Sequence, residues 1–270
     1  MTKLRILILG AHPDDADYSA GGSAALWRRG GHDVKMVSVT DGGAGHHLHP
    51  GPKLVPLRRA EAAAAGRVIG AEYVTLDIPD GGLLPTLENR ATIIRLIREF
   101  KPDLILTHRP NDYHPDHRYV SQLVQDAAYM VTVPAVAPEV RHLDRNPVIA
   151  YLPDDFMKPY PLTPTVVVDV GPVLDDIVSM LDCHASQFYE WLPYNKGTLE
   201  QVPKSPAERK AWLKRQVEER LRGRAKRFSE LIGEAYEYGV EFAEAFEPCE
   251  YGSPLDEAAK LRLFPFVPMA

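Results

Sequence analysis

Short apolar runs that alternate with longer amphipathic stretches constrain this chain more than any other feature. Arg5 to Leu9, Val34 to Val39, Glu72 to Leu76 and Asp103 to Thr107 are brief aliphatic or β-branched runs closed by turn residues, the signature of buried strands. Between them, Ser19 to Arg29, Leu57 to Ile69 and Glu88 to Phe100 place apolar residues at helical spacing, and Gly30, Gly31, Gly70 and Pro102 supply stops. Four strands separated by three helices predict a Rossmann-like α/β fold, a mostly parallel sheet with helices on both faces and right-handed crossovers. The Pro-rich stretch from Pro134 to Pro164 reads as irregular structure around one or two further strands. Past residue 200, Ser205-Pro206-Ala207-Glu208 has the pattern of a capping box, and Leu213, Val217, Leu221, Phe228 and Ile232 recur on one helical face. We therefore expect an α/β domain over residues 1–200 and a helical extension over 201–270 packed on it. The tail from Leu261 to Met269 is apolar enough to dock on its own subunit or on a neighbour, which leaves a homo-oligomer open.

Composition excludes some partners. A net charge of −6 argues against nucleic acid, and no apolar run is long enough to span a bilayer. The N-terminal run of MTKLRILILGAHPDD lacks a small-residue cleavage site and reads as the first strand, and two cysteines are too few for a disulfide framework. Both features fit a cytoplasmic protein.

The chemistry is concentrated in two stretches. AHPDDAD, residues 11–17, sets a histidine and three carboxylates directly after the first predicted strand. Crowded like charges repel, and bringing them to the end of a buried strand adds a desolvation cost, so a bound cation is the simplest counterweight. The competing reading is a turn followed by a helix cap, for which Asp is suited. The second stretch, THRPNDYHPDHR at residues 107–118, follows the fourth predicted strand and carries three histidines and two aspartates. In an open sheet whose order reverses beside the first strand, the first and fourth strands are neighbours and ligands bind beyond their carboxyl ends. Both clusters would then face one crevice, which favours the metal over the cap.

Taken together, AHPDDAD with Gly21-Gly22 after it, and HPDHR, resemble the LmbE-like and PIG-L-like family of zinc-dependent N-acetylglucosaminyl deacetylases. Leu57-Arg58-Arg59-Ala60-Glu61 looks like the family's Arg-containing helix, Pro79-Asp80-Gly81 like its loop after the third strand, and Cys183-His184-Ala185-Ser186-Gln187 like its later His-x-Ser-Gln stretch. Asp17, where many relatives carry Glu, and the HHLHPG loop at residues 46–51 depart from the pattern. The resemblance implies that His12, Asp15 and His117 bind zinc, a set that leaves coordination positions for water and substrate. It implies Asp14 as general base, His114 as an imidazolium that polarises the amide carbonyl, and Asp116 as the carboxylate that orients His114 and raises its pKa. His114 as a third metal ligand or as a group behind the ligands is the alternative. Arg58, Tyr113 and Asp80 would contact the substrate, a small N-acyl amino sugar or glycoconjugate.

Rival readings remain at this stage. Two histidines and a carboxylate also describe Fe(II) oxygenases, so the metal is Zn²⁺ with Fe²⁺ as the alternative. A metal-dependent phosphohydrolase or a non-catalytic sugar-binding relative would keep the same fold, although Mg²⁺ prefers oxygen ligands over His12 and His117. His46, His47 and His49 read as a mobile surface loop or, against the odds of their spacing, as a second ion site. Asp17 reads either as a helix N-terminal carboxylate or as a support for the site, and His184 and Gln187 are assigned no chemical step.

Overall fold

The computed structural model describes residues 2–268. Seven strands form one sheet in the order β3-β2-β1-β4-β5-β7-β6. The first four strands are β1 (Arg5–Gly10), β2 (Asp33–Thr40), β3 (Glu72–Ile78) and β4 (Leu104–Thr107). They alternate with α1 (Asp15–Arg29), α2 (Leu54–Ile69) and α3 (Leu87–Phe100), as expected, and α4 (Pro115–Met130) leads on to β5 (Val148–Tyr151). All of the pairings from β3 through β5 are parallel. The β1–β4 pairing sets Ile6 opposite Leu104 and Leu9 opposite Thr107, so both motif-bearing turns leave the sheet at the same edge.

Alternation along β1 divides the core between two faces. Ile6 and Ile8 point to the side packed by α1, with Ala16, Ala20 and Ala24, and by α5 (Leu174–Cys183). Leu7 and Leu9 point to the side covered by Ile93, Ile94 and Ile97 of α3 and Val120, Leu123 and Val124 of α4. A parallel sheet covered on both faces needs apolar residues at every strand position, which is why these strands read as continuous runs.

Helix α1 begins at Asp15, four residues before the position predicted from its apolar spacing, and it contains a break at Ala20 (φ −139°, ψ 20°). Breaking the helix frees backbone donors in its second half, and Glu244 takes them. Its carboxylate accepts from the Gly22 and Ser23 N–H groups and from the Ser23 hydroxyl, at 2.8, 2.8 and 2.7 Å. A Cβ at Gly22 would lie 2.5 Å from Val170 Cγ1, so only glycine allows this approach.

After the short α6 (Leu192–Asn195), the helices expected beyond residue 200 form as α7 (Pro206–Arg227), capped by the Ser205 hydroxyl, and α8 (Ser229–Ala235). The segment is not only helical. Strand β7 (Ala243–Pro248) inserts between β5 and β6 (Val166–Asp169) and runs antiparallel to both. The tail then docks on its own subunit. Trp27 Nε1 donates to the Leu263 carbonyl at 2.7 Å at the end of α9 (Glu257–Leu263), and the Phe264 and Phe266 rings pack on Trp27. Met269, included in the expected apolar tail, lies outside the described residues.

Three hydrogen bonds to one buried carboxylate make Glu244 a strong test of this arrangement. Glu244→Ala should cost about 3 kcal/mol in chemical denaturation, because it leaves buried donors unpaired. Glu244→Gln keeps one accepting oxygen and should lose less.

Candidate metal centre

The turn after β1 is built to bring its side chains back on themselves. Asp14 and Asp15 donate their N–H groups to the His12 carbonyl, at 2.9 and 3.2 Å, and Asp15 Oδ2 accepts from the His12 N–H at 2.7 Å. Gly10 makes room for it: a Cβ there would lie 2.6 Å from Asp15 Cβ. Across the β1–β4 pair, α4 starts at Pro115 with His114 as its cap, and His117 falls in the first turn.

This geometry gathers the three expected ligands. His12 Nδ1 lies 3.2 Å from His117 Nε2, and Asp15 Oδ2 lies 3.4 Å from each of those nitrogens. Such spacings match the edges of a tetrahedron whose centre is about 2.0–2.1 Å from its donors, the distance at which zinc holds imidazole and carboxylate. Each imidazole also has a carboxylate behind it: His117 Nδ1 lies 3.1 Å from Asp112, and His12 Nε2 lies 3.2 Å from Asp80 and 3.4 Å from Asp116. Carboxylates in this position fix the tautomer of metal-binding histidines. A donor set of two backed imidazoles and one carboxylate fits a catalytic metal.

Electrostatics separates the two adjacent acids. Burial raises Asp14 to about 6, Arg58 holding it down and Asp15 pushing it further up. Asp15 is also penalised by burial, but His117 and His108 outweigh that and hold it well below the usual carboxylate range. His12 and His117 are penalised by burial and nevertheless raised, the first by Asp116, Asp15 and Asp80 and the second by Asp15 and Asp112. Without a cation, protons on these imidazoles offset part of the carboxylate charge. A divalent ion would displace them.

Several expected roles are revised by the contacts. Asp116 does not orient His114. Its carboxylate accepts from the Gly81 N–H at 2.7 Å and lies against His12, while His114 Nδ1 accepts from the Asp116 backbone N–H at 3.2 Å, as a helix cap does. The expected imidazolium is also reversed, since burial, then the nearby His12 and His117, lower the His114 pKa. His114 does stay close enough to the ligands to join them: a nitrogen of His12, His114 and His117 can all be found within 4.8 Å of one another. Arg58 is 2% exposed, and its Nη2 donates to the Pro13 carbonyl at 2.9 Å and lies 3.3 Å from Asp14 Oδ1, so its visible partners belong to the HPDD turn. Asp80 is likewise engaged, its Oδ2 accepting from the Ala44 N–H at 3.0 Å. Tyr113 is 71% exposed and sets its ring edge-on to His114 and His117.

Other motif residues form the wall. Asp17 and His184 are both fully buried and paired at 2.8 Å, with the Tyr73 hydroxyl donating to the other Asp17 oxygen, so Asp17 is more than a solvated helix-start carboxylate. The π-helical turn Ser186–Trp191 ties in α2 and the loop after β2: Ser186 donates from N and Oγ to Glu61, and Gln187 Nε2 donates to the Gly45 carbonyl. The 46–51 loop is anchored. Buried His46 lies 2.8 Å from Glu190 and accepts from the Leu48 and His49 N–H groups, and His47 stacks on Tyr194. Among the described residues these histidines form no metal-binding group.

Two residues with no expected role sit at the centre. Asp112 backs His117, and His108 lies 3.2 Å from Asp15. Both stood in the THRPNDYHPDHR stretch. The signal available was their place at the end of a strand, beside the HPDH motif.

Residues 7–128, which contain every proposed ligand, match the family model described as PIG-L: GlcNAc-PI de-N-acetylase. The chain is 27% identical over 205 residues, 72% of its length and 78% of the relative, to the 4-oxalmesaconate hydratase of Pseudomonas putida. It is 28% identical over 165 residues to the 1D-myo-inositol 2-acetamido-2-deoxy-alpha-D-glucopyranoside deacetylase 1 of Catenulispora acidiphila, covering 50% of this chain and about half (51%) of that relative. The fold matches that of N,N'-diacetylchitobiose deacetylase from Pyrococcus horikoshii, with a TM-score of 0.70 and 22% identity over 91% of this chain and 84% of that one.

A buried carboxylate held at about 6 makes the folded state less stable once it ionises. Its folded pKa lies above the unfolded value, so the penalty is absent below the unfolded pKa, grows as pH rises towards 6 and then levels off. In metal-free protein, Asp14→Asn should therefore raise the melting temperature relative to the parent, by a margin that widens between about pH 4 and pH 6, as read by thermal unfolding across that range.

Proposed function

We propose that this chain, whose residues 7–128 form a PIG-L (LmbE-like) family domain, is a metal-dependent amidohydrolase that removes an acetyl or other short acyl group from an N-acyl amino sugar or its conjugate. The observation that carries this reading is the division between Asp14, free of the ligand cluster and poised at about 6, and Asp15, held ionised against three imidazoles. Hydrolysis needs one acid to ligate and another to move a proton.

Zinc held by His12, Asp15 and His117 would supply a Lewis acid for the amide carbonyl and lower the pKa of a water to about 7. Asp14 takes the proton from the attacking water and returns it to the departing amine. Because His114 Nδ1 accepts from the helix backbone, its Nε2 carries the hydrogen and offers a neutral donor to the developing oxyanion, without the charge expected from sequence. Asp116 and Asp80 aim His12, and Asp112 aims His117. Arg58 holds the HPDD turn and keeps Asp14 ionisable at neutral pH. Tyr113 covers the substrate at the rim. Both cysteines are free, which supports a cytoplasmic setting, and no helix among the described residues is long and apolar enough to cross a membrane.

The longer match to the hydratase favours a second reading, in which the same base and ion add water across the conjugated double bond of an unsaturated acid. Protein loaded in turn with Zn²⁺ or Fe²⁺ should release acetate from a panel of N-acetyl amino sugars and leave the ultraviolet absorbance of unsaturated keto acids unchanged. Absorbance loss without acetate release would replace the first reading with the second.

Variants test the division of labour directly. Asp15→Ala should lose zinc and activity together, whereas Asp14→Asn should keep stoichiometric zinc while kcat falls about 10²–10⁴-fold, as for loss of a general base. Zinc analysis beside single-turnover rates decides it. The acid limb of kcat/KM should reflect ionisation of Asp14, and Arg58→Ala, by removing the nearby cation, should move that limb to higher pH.

A further inference from the structure

His108 belongs to no part of the reaction described above, yet it is 6% exposed and touches three pieces of the site at once. Its Nε2 accepts from the Ala11 N–H at 3.1 Å, at the point where β1 becomes the HPDD turn. The same nitrogen lies 3.2 Å from Asp15 Oδ2. Its ring stacks on His117, with centroids 3.9 Å apart and planes 13° from parallel. Two of the three proposed ligands are therefore in direct contact with one side chain from β4's end.

We propose that His108 is a positioning residue that presets the metal centre by fixing the plane of the His117 ring and tying it to the turn that carries Asp15 before an ion arrives. Neither ligand is held by a helix interior. Asp15 opens α1, where its Oδ2 accepts from the His12 N–H, and His117 lies in the first turn of α4, so without a lateral contact the His117 ring could turn away from Asp15. Asp112 reaches His117 only at Nδ1 and leaves the ring free to swing about that contact. The stacked His108 removes this freedom. Its Nε2, by accepting from the Ala11 N–H, ties that ring to the start of the HPDD turn that carries Asp15. Because a carboxylate oxygen of Asp15 and a ring nitrogen each of His108 and His117 could also share an ion, the positioning role makes a distinct claim: the bound metal sees two imidazoles and not three. The inference rests on the triad reading above.

Two substitutions separate its contacts. His108→Phe keeps a ring against His117 and removes the nitrogen beside Ala11 and Asp15. His108→Gln keeps a polar group in reach of both and removes the ring. Zinc dissociation constants from chelator competition should weaken about 10–100-fold in each variant, the range for groups that orient ligands. Co²⁺-loaded variants should show altered visible absorption bands, and melting of the metal-free proteins reports any loss that is merely structural. X-ray absorption on the zinc-loaded parent should count two imidazoles. Parental zinc affinity and cobalt spectra in both variants would overturn the proposal, as would a third imidazole in the parent. Failure of the parent itself to bind zinc would instead overturn the triad, since the two readings fail on different proteins.

Discussion

Parallel pairing of β1 with β4 is the constraint on which the site depends. Neither motif contains the whole of the proposed ligand set: the first turn carries His12 and Asp15, and the second carries His117. Hydrogen bonding of the two strands in register, with Leu9 opposite Thr107, delivers both turns to one edge, and the reversal of strand order there leaves a crevice between them. The dry, two-sided core makes that register hard to change, because a slip of one residue would turn Ile6 and Ile8 towards the wrong layer.

On this frame the protein assembles more negative charge than it neutralises with its own cations. Asp14, Asp15, Asp80, Asp112 and Asp116 surround four histidines, His12, His108, His114 and His117, and one buried arginine. Such a cluster costs folding energy unless protons or a metal enter it. The cost is distributed unevenly. Backbone donors and imidazoles stabilise Asp15, Asp80, Asp112 and Asp116, and Asp14 is left as the acid most easily protonated. Protonation of Asp14 is thus favoured first by its burial, with Arg58 opposing it and Asp15 adding to it.

The parallel half of the sheet and the meeting of the two motifs were legible because both follow from local patterns: apolar runs, stops and charged turns. Strand β7 was not. Its sequence, AEAFEP, puts two glutamates in a buried strand, and only remote partners make that tolerable, Gly22 and Ser23 for Glu244 and Thr163 for Glu247. The partner of Asp116 was misread for a related reason. Its two-residue spacing from His114 suggested a pair, but the helix cap uses His114 for the backbone and turns the carboxylate back towards Gly81 and His12. Arg58 looked like a surface or substrate-facing residue on an amphipathic helix, and nothing near it in sequence shows that the HPDD turn covers it. The aspect of the site that eluded sequence was therefore partnership across long separations, not residue type.

Placing β7 between β5 and β6 has a consequence for how the chain is made. During synthesis the motif-bearing strands emerge first and can pair, but β5 keeps an open edge and β6 has no neighbour until residues 243–248 have left the ribosome. An unpaired edge in a hydrophobic sheet invites association with other chains. Glu244 arrives on that same late strand, so the second half of α1, next to the proposed metal ligands, gains its cap only when the sheet closes. Completion of the sheet and completion of the helix beside the proposed metal ligands are one event, and both wait for residues 243–248.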